Sequence, residues 1–253
     1  MTIETQRDVD GIMNAGRVVA AVRDAMVQVV EPGMTTLELD ELGSDLLNRF
    51  GARSAPQTIY QFPGATCISV NEEAAHGIPG SRVIQHGDLV NIDVSAELDG
   101  YFADTGVSFV VPPGDVEQVR LCDATYVALE QALKEVRDGA DLNRIGYAVE
   151  RTASAYGFQV IKNLAGHGIG RSLHEEPDGL VSYYDRHDRR KLRLGQVIAV
   201  EPFLSTRCTE VTLASDGWTL RGKAGNRTAQ FEHTMIVTRG APMIATLSGA
   251  TSI

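Results

Sequence analysis

A helical plan that occurs twice in the chain constrains its fold more than any other feature of the sequence. Residues 31–52 have the signature of a turn, a helix-capping box and an amphipathic helix that ends at a glycine. Residues 137–158 follow the same plan, and Gly139 lies 106 positions after its counterpart Gly33. This repetition predicts a fold built from two similar halves.

Each copy lies between a longer helical pattern and segments that alternate apolar and polar residues. The longer helices are predicted over residues 13–30 and 116–136. Two adjacent prolines interrupt the pattern between the predicted halves, 1–112 and 113–253. Two helices followed by strands, twice, predict an α+β fold class: one domain over residues 1–253 with a pseudo-twofold internal repeat and an antiparallel-rich sheet covered by helices.

The charge and the N-terminal sequence argue against several classes of protein. Lys and Arg number 23 against 33 Asp and Glu, and the net charge of −10 disfavours general nucleic-acid binding because phosphate backbones are negative. No apolar run is long enough to span a membrane, and the first residues do not resemble a secretory signal. Cys67, Cys122 and Cys208 are widely spaced, which fits reduced thiols. We therefore expect a cytoplasmic protein.

A predicted hairpin brings two aspartates together. Asp99 and Gly100 form a strong two-residue turn signal, and strands that flank this turn pair so that residue numbers sum to 199. Asp104 then lies opposite Ser95 and diagonal to Asp93, so the two carboxylates share one sheet face. A shared metal ion would neutralise their repulsion. The hairpin alone leaves open that one of them is an ordinary solvent-facing residue.

Two glutamates and a histidine extend this acidic set. Glu201 follows a nearly continuous apolar run, and Glu232 precedes another, so both are predicted to be buried. Two histidines, His167 and His174, stand seven residues apart in the sequence LAGHGIGRSLHEEP, which we interpret as strand and loop because its glycines and proline disfavour a helix. Four carboxylates and one imidazole are suited to two divalent ions: Mn, Fe(II), Co or Zn.

Five linked motifs in this chain resemble those of the methionine aminopeptidases. They are HGIPG at 76–80, NIDV with ADTG, GHGIGRSLHEEP, VEPF and QFEHT, and the match runs over nearly the whole chain. The resemblance implies the "pita-bread" α+β fold, a dinuclear metal centre and removal of N-terminal methionine from peptides and nascent proteins with a small second residue. Only about thirty-four residues separate His167 from Glu201, so the chain resembles the type I enzymes, without a helical insertion and without an N-terminal extension.

The resemblance assigns roles to individual residues of the predicted centre. The metal ligands it implies are Asp93, Asp104, His167, Glu201 and Glu232. Asp104 and Glu232 would bridge the two ions, and Glu201 would also act as a proton shuttle. Glycines beside His167 would let the backbone pass close to the metals.

Catalytic and substrate-binding residues follow from the same comparison. His174 resembles the histidine that contacts the carbonyl oxygen or scissile amide of the substrate, and His76 resembles one that lines the substrate cleft. The substrate-binding residues implied by the resemblance are His76, His174, Phe62, Cys67, Ile59, Leu173 and Trp218.

The chain departs from the family pattern in the pocket and not at the metal ligands. A family stretch that usually reads CLGYHGFP is PQTIYQFP here, at 56–63, so a cysteine and a tyrosine of the methionine pocket become Pro56 and Ile59. The aromatic residue that often precedes the second histidine is Leu173. These changes keep the cavity apolar but alter its shape, and with it the selectivity for methionine.

Three alternatives stay open at this point. Prolidase and aminopeptidase P share the fold and ligands but carry a large N-terminal domain that this sequence lacks. A non-enzymatic relative that binds RNA or protein would be expected to lose ligands, and none is lost. A paralogue with intact metals and altered substrate choice is the third. Association at the ribosome exit site and a monomeric state are further expectations from the resemblance.

Overall fold

The structure is a computed structural model that describes residues 1–247. The predicted domain and its second half continue through 248–253, which lie outside the described residues. The helices are α1 (Gln6–Val29), α2 (Thr36–Arg49), α3 (Val116–Leu133) and α4 (Asn143–Tyr156), with one π-helical turn at Pro56–Tyr60. The strands are β1 (Arg53–Ser54), β2 (Cys67–Val70), β3 (Glu73–Ala75), β4 (Leu89–Leu98), β5 (Tyr101–Val110), β6 (Gln159–Val160), β7 (Ala165–Gly168), β8 (Glu175–Val181), β9 (Val197–Val200), β10 (Phe203–Ser205), β11 (Thr212–Leu213), β12 (Leu220–Arg221), β13 (Thr228–Gln230), β14 (His233–Ile236) and β15 (Met243–Ile244).

The helices repeat as the sequence predicts, a long helix and then a shorter one in each half. A capping box at Thr35 begins α2, and α4 ends at Gly157 in a left-handed conformation. The predicted start of α1 at residue 13 is wrong by seven residues. A capping box between Thr5 and Asp8 satisfies the first amide groups of the helix and allows it to begin at Gln6.

Antiparallel pairing connects the strands into two main sheets. In the first sheet β4 pairs with β1, β2 and β5, and the order in the second is β15-β14-β9-β7-β8. The sheets meet where β5 runs beside β14. There the Asp104 amide donates to Thr234 Oγ1 (2.9 Å), and the Glu232 amide donates to the Gly106 carbonyl (3.0 Å). Residues from both halves of the chain are thereby brought to one seam.

The register of the hairpin confirms the prediction from its turn. Asp99 and Gly100 have φ angles of 52° and 80°, as a two-residue turn of this kind requires. Asp104 lies directly opposite Ser95, and Asp93 lies opposite Gly106. Because side chains alternate across a strand, Asp93 and Asp104 share a face.

Two large apolar clusters form the core on which the helices pack. In α1 the side chains of Ile12, Val19 and Met26 recur every seventh residue and are fully buried against β2, β4 and β5. In α3, Leu121 and Ala128 are likewise fully buried in the second cluster, which includes residues of β9 and β14. Among residues 1–247, no helix combines the length and the apolar character that crossing a bilayer demands.

Candidate metal centre and substrate cleft

Three of the five predicted ligands converge closely at the seam between the sheets. Ligand atoms of Asp104, His167 and Glu232 all lie within 4.8 Å of one another. Their side chains belong to β5, to β7 and to the segment between β13 and β14, and their exposed fractions are 7%, 4% and 1%. The site is therefore assembled from parts of the chain that are distant in sequence.

The other two predicted ligands lie beside this group. Glu201, directly after β9, places Oε1 3.6 Å from His167 Nε2. Asp93 on β4 accepts a hydrogen bond from the Gln230 side-chain amide (3.4 Å), which also donates to Glu232 Oε2 (3.1 Å). The structure thus brings together all five residues that the sequence comparison selected.

Burial raises the pKa of every carboxylate in the cluster, and repulsion by neighbouring carboxylates raises it further at Asp93, Glu201 and Glu232. Burial is the main cause in each case, and it raises the pKa of Asp104 to about 6. The pKa values of Asp93 and Glu201 rise well above their ordinary range, with the charge of Asp104 as the second cause. The pKa of Glu232 rises for the same two reasons. Without a cation, this site cannot keep four carboxylates ionised at neutral pH.

His167 is prepared to act as a neutral ligand. Burial lowers its pKa to about 4, so the imidazole carries no charge at neutral pH. Its Nδ1 lies 2.9 Å from the carbonyl oxygen of Gly168, which can only accept a hydrogen bond. The ring proton therefore belongs on Nδ1, and Nε2 presents a lone pair to the carboxylates.

Two orphaned oxygen atoms show that this residue set fits a cation. Asp104 Oδ1 and Glu232 Oε1 are buried and have no hydrogen-bond partner among the described residues. An unsatisfied buried carboxylate oxygen is costly, whereas divalent cations with oxygen and imidazole ligands satisfy such atoms directly. The ligand types, the neutral imidazole and the two open oxygens are mutually consistent with metal binding.

A layer of residues that the sequence analysis missed holds these ligands in place. Gln230 is fully buried, and Asn91 donates to its Oε1 (2.8 Å), which turns the Gln230 amide group toward Asp93 and Glu232. A Cβ atom on Gly106 would lie 1.8 Å from the same Oε1, so only glycine leaves room for Gln230. Strand alternation could have identified both polar residues, since each stands two positions before a predicted ligand.

The glycines beside His167 are required by strand packing. A Cβ on Gly166 would lie 2.4 Å from the Ala199 carbonyl oxygen, and one on Gly168 would lie 2.3 Å from that of Glu176. These atoms belong to the neighbouring strands β9 and β8. The glycines therefore let β7 pack between its neighbours, and the expectation that they let the backbone pass close to the metals stays a prediction.

A cavity of about 270 Å³ opens beside the cluster. It is lined by Pro56, Tyr60, Phe62, Cys67, His76, Asp93, Ser95, Asp104, His167, Leu173, His174, Glu201 and Trp218. Phe62 and Trp218 meet edge to face with ring centroids 5.3 Å apart, and they form an aromatic wall. Larger cavities lie elsewhere. One of about 510 Å³ is lined by a single predicted ligand, Glu232, and another of about 540 Å³ by none. The cavity of about 270 Å³ is lined by four of the five predicted ligands and is therefore the candidate substrate cleft.

One predicted pocket residue is misplaced. Ile59 does not line this cavity, and its side chain is 42% exposed. The segment Pro56–Tyr60 forms a single π-helical turn, so Pro56 and Tyr60, which are about one turn apart, both face the cavity while Ile59 points outward. Tyr60, which the sequence analysis did not select, takes the place expected for Ile59.

The two predicted cleft histidines, His76 and His174, both line the cavity. The ring of His174 lies 4.1 Å from the ring of His167, measured between centroids. Surrounding protein atoms lower the pKa of His174, although solvent still reaches its ring. His76 has a φ angle of 53°, in the left-handed region that residues other than glycine seldom adopt. This strained conformation belongs to a residue that faces the cleft.

Comparison with known proteins shows which family the chain resembles. Residues 10–239 match metallopeptidase family M24. The chain is similar to a methionine aminopeptidase of Staphylococcus epidermidis, with 49% identity over 97% of this chain and 98% of that one. It superposes on the crystal structure of methionine aminopeptidase from Rickettsia prowazekii with a TM-score of 0.93 and 34% identity, covering 98% and 100% of the two chains.

A more distant structure shares the fold alone. Prolidase from Pyrococcus furiosus superposes with a TM-score of 0.78 at 21% identity, covering 98% of this chain and 66% of that one. The predicted pita-bread fold is confirmed by these structural matches. The chain belongs to metallopeptidase family M24 and, within that family, to the methionine aminopeptidases.

Proposed function

We propose that this protein uses two divalent metal ions to remove N-terminal methionine from peptides and newly made proteins whose second residue is small. The observation that carries this proposal is the pair of orphaned oxygens, Asp104 Oδ1 and Glu232 Oε1, in a buried ligand cluster beside a partly apolar cleft. The similarity to methionine aminopeptidases supports the choice of substrate.

The five predicted ligands would hold the ions together. Asp104 and Glu232 each leave one buried oxygen without a hydrogen-bond partner, and these oxygens would bind the ions directly. Asp93, His167 and Glu201 lie beside them and would supply the remaining ligand atoms. When bound, divalent ions supply Lewis acidity, which polarises a carbonyl group and makes water a better nucleophile.

Residues of the chain would manage the protons of the reaction. Glu201, as the family resemblance implies, would take a proton from the attacking water and pass it to the amine that leaves. His174, beside the ligand His167, would donate a hydrogen bond to the carbonyl oxygen as it gains negative charge. His76 would orient the substrate at the opening of the cleft.

The cleft explains how the first residue of a substrate would be chosen. Phe62, Cys67, Leu173 and Trp218 offer an apolar surface that an unbranched thioether can fill. Leu173 and Pro56 replace groups that the family pattern leads one to expect, so selectivity against leucine or norleucine is the property most open to change. A paralogue with altered selectivity is therefore the second candidate function.

A peptide panel tests the proposal. The metal-free protein would be supplied with Mn²⁺, Fe²⁺ or Co²⁺ and assayed on Met-Ala-Ser, Met-Leu-Ser, Leu-Ala-Ser, Met-Pro-Ala and Ala-Pro-Ala. We expect release of methionine from Met-Ala-Ser and little from Met-Leu-Ser, because a bulky second residue would collide with the cleft near the ligands. Preference for Leu-Ala-Ser would favour the paralogue, and preference for Ala-Pro-Ala would favour a proline-specific enzyme.

The identity of the metal, association with the ribosome, the monomeric state and the cytoplasmic location stay predictions. The same holds for the role of each site residue and for the division of the chain into one domain with two halves. The panel above addresses the metal, because each ion is supplied separately.

A further inference from the structure

A tyrosine that neither the motifs nor the ligand set includes makes a direct contact with the proposed catalytic histidine. The Tyr60 hydroxyl oxygen lies 2.6 Å from Nδ1 of His174, and the two rings are tilted with centroids 5.6 Å apart. The residues are 114 positions apart in the sequence, so the fold creates the contact.

The turn that carries Tyr60 is firmly anchored although Tyr60 itself is partly exposed. Within the turn, Thr58 Oγ1 donates to the Ser54 carbonyl (2.7 Å), and Ser54 Oγ donates to the Ala65 carbonyl (2.7 Å). Gln61 ends the turn with a φ angle of 59°. The backbone beneath Tyr60 is therefore held in place, so little ordering of the chain opposes the contact.

The chemistry of the contact allows two arrangements. A neutral imidazole has one N–H donor and one acceptor nitrogen, and a phenol hydroxyl can serve as either partner. If the hydroxyl donates to Nδ1, the ring proton must lie on Nε2. If Nδ1–H donates to the hydroxyl oxygen, Nε2 keeps a lone pair and cannot stabilise negative charge on a substrate oxygen. Burial raises the pKa of Tyr60, which keeps its proton available for donation.

We infer that Tyr60 is a positioning residue, whose hydroxyl donates to Nδ1 of His174 and so presents Nε2–H as the hydrogen-bond donor to the substrate. This inference rests on the proposed function, since it assumes that His174 acts on the carbonyl oxygen. The contact would hold an imidazole that solvent reaches in one orientation and one tautomer before substrate arrives.

Kinetics provide the first test. Tyr60→Phe removes only the hydroxyl group, and in the Mn²⁺-loaded protein we expect kcat on Met-Ala-Ser to fall about tenfold while KM changes less than about twofold. In a His174→Ala background the same substitution should have no further effect, because the partner is gone. Tyr184→Phe, at an exposed tyrosine outside the cleft, is the matched control.

NMR provides a readout that does not depend on turnover. Metal-free protein labelled with ¹⁵N-histidine would be recorded at neutral pH in a long-range ¹H–¹⁵N correlation, with His174 assigned by its absence in His174→Gln. We expect the pattern of a neutral ring protonated on Nε2, and a mixed pattern in Tyr60→Phe. A ring protonated on Nδ1 in the unsubstituted protein, or an unchanged pattern in Tyr60→Phe, would overturn the inference.

The two tests separate failure of this inference from failure of the proposed function. If His174→Ala keeps full kcat, the proposed role of His174 is wrong, whatever the tautomer. If His174→Ala loses activity and Tyr60→Phe changes neither kcat nor the NMR pattern, only the role of Tyr60 is wrong.

Discussion

Replacing Asp104 by asparagine should stabilise the metal-free protein at neutral pH while abolishing its response to metal. Burial raises the pKa of Asp104 from 3.8 to about 6, so the folded protein favours its protonated form. A group whose pKa is raised on folding contributes stability below its unfolded pKa, and that contribution is lost as the pH rises through the folded pKa. The loss here falls between about pH 4 and pH 6.

The magnitude follows from the same shift. An increase in the pKa of Asp104 from 3.8 to about 6 corresponds to about 3 kcal/mol. Above pH 6, where Asp104 is ionised, the free energy of unfolding of the metal-free protein is lower by this amount. An asparagine side chain has a similar shape and no charge, so this cost disappears in the variant. We therefore expect Asp104→Asn to unfold with a free energy up to about 3 kcal/mol higher than the unsubstituted protein at pH 7.5 in chelator, and with little difference at pH 4.

Urea unfolding followed by circular dichroism measures both quantities. Each protein would be studied at pH 4 and 7.5 in EDTA and, at pH 7.5, with Mn²⁺, which should stabilise the unsubstituted protein and not the variant. Asp10→Asn, at an exposed position of α1, is the matched control. A variant that is less stable than the unsubstituted protein in EDTA at pH 7.5, or a difference that does not depend on pH, would refute the reasoning.

Three further substitutions probe the ligand scaffold, the catalytic histidine and the pocket. Gly106→Ala should displace Gln230, because the new Cβ would lie 1.8 Å from the Gln230 Oε1. The variant should bind Mn²⁺ about 10- to 100-fold more weakly in calorimetric titration. Unchanged affinity would contradict the role of Gln230 in holding the ligands. His174→Ala should lower kcat by about 10² and leave the amount of bound metal unchanged. His187, whose side chain is 77% exposed, is the control, and His187→Ala should alter neither quantity. Loss of metal in His174→Ala would make His174 a ligand. Phe62→Ala should remove the aromatic contact with Trp218 and lower kcat/KM for Met-Ala-Ser about 10- to 100-fold. If the ratio of kcat/KM for Met-Ala-Ser to that for Leu-Ala-Ser is unchanged, Phe62 does not contribute to selectivity.

The parts of the site that obey local rules were predictable from the sequence. The Asp99-Gly100 turn fixes its own register, and that register carries Asp93 and Asp104 to one face. Glu201 and Glu232 were identifiable as acids in apolar surroundings. The methionine aminopeptidase motifs added His167, and the family assignment is confirmed by the comparisons.

Other parts depend on contacts that no local pattern reveals. No local signal in the sequence of Pro56–Tyr60 predicts a π-helical turn. The prediction therefore selected Ile59 as a pocket residue, whereas Tyr60 lines the cavity in the structure. The need for glycine at 106 arises from Gln230, which is far away in the sequence. Tertiary packing decides such positions, and strand alternation or capping rules do not reach them.

The central claim is that two divalent ions, held by the five-residue cluster, make this chain an aminopeptidase. Titration of metal-free protein with Mn²⁺ tests it most directly when bound metal, from inductively coupled plasma mass spectrometry after desalting, and methionine release from Met-Ala-Ser are measured in the same samples. We predict two bound Mn²⁺ ions per chain at saturation and activity that rises with occupancy. Full activity with no bound metal, or two bound ions without release of methionine, would contradict the claim.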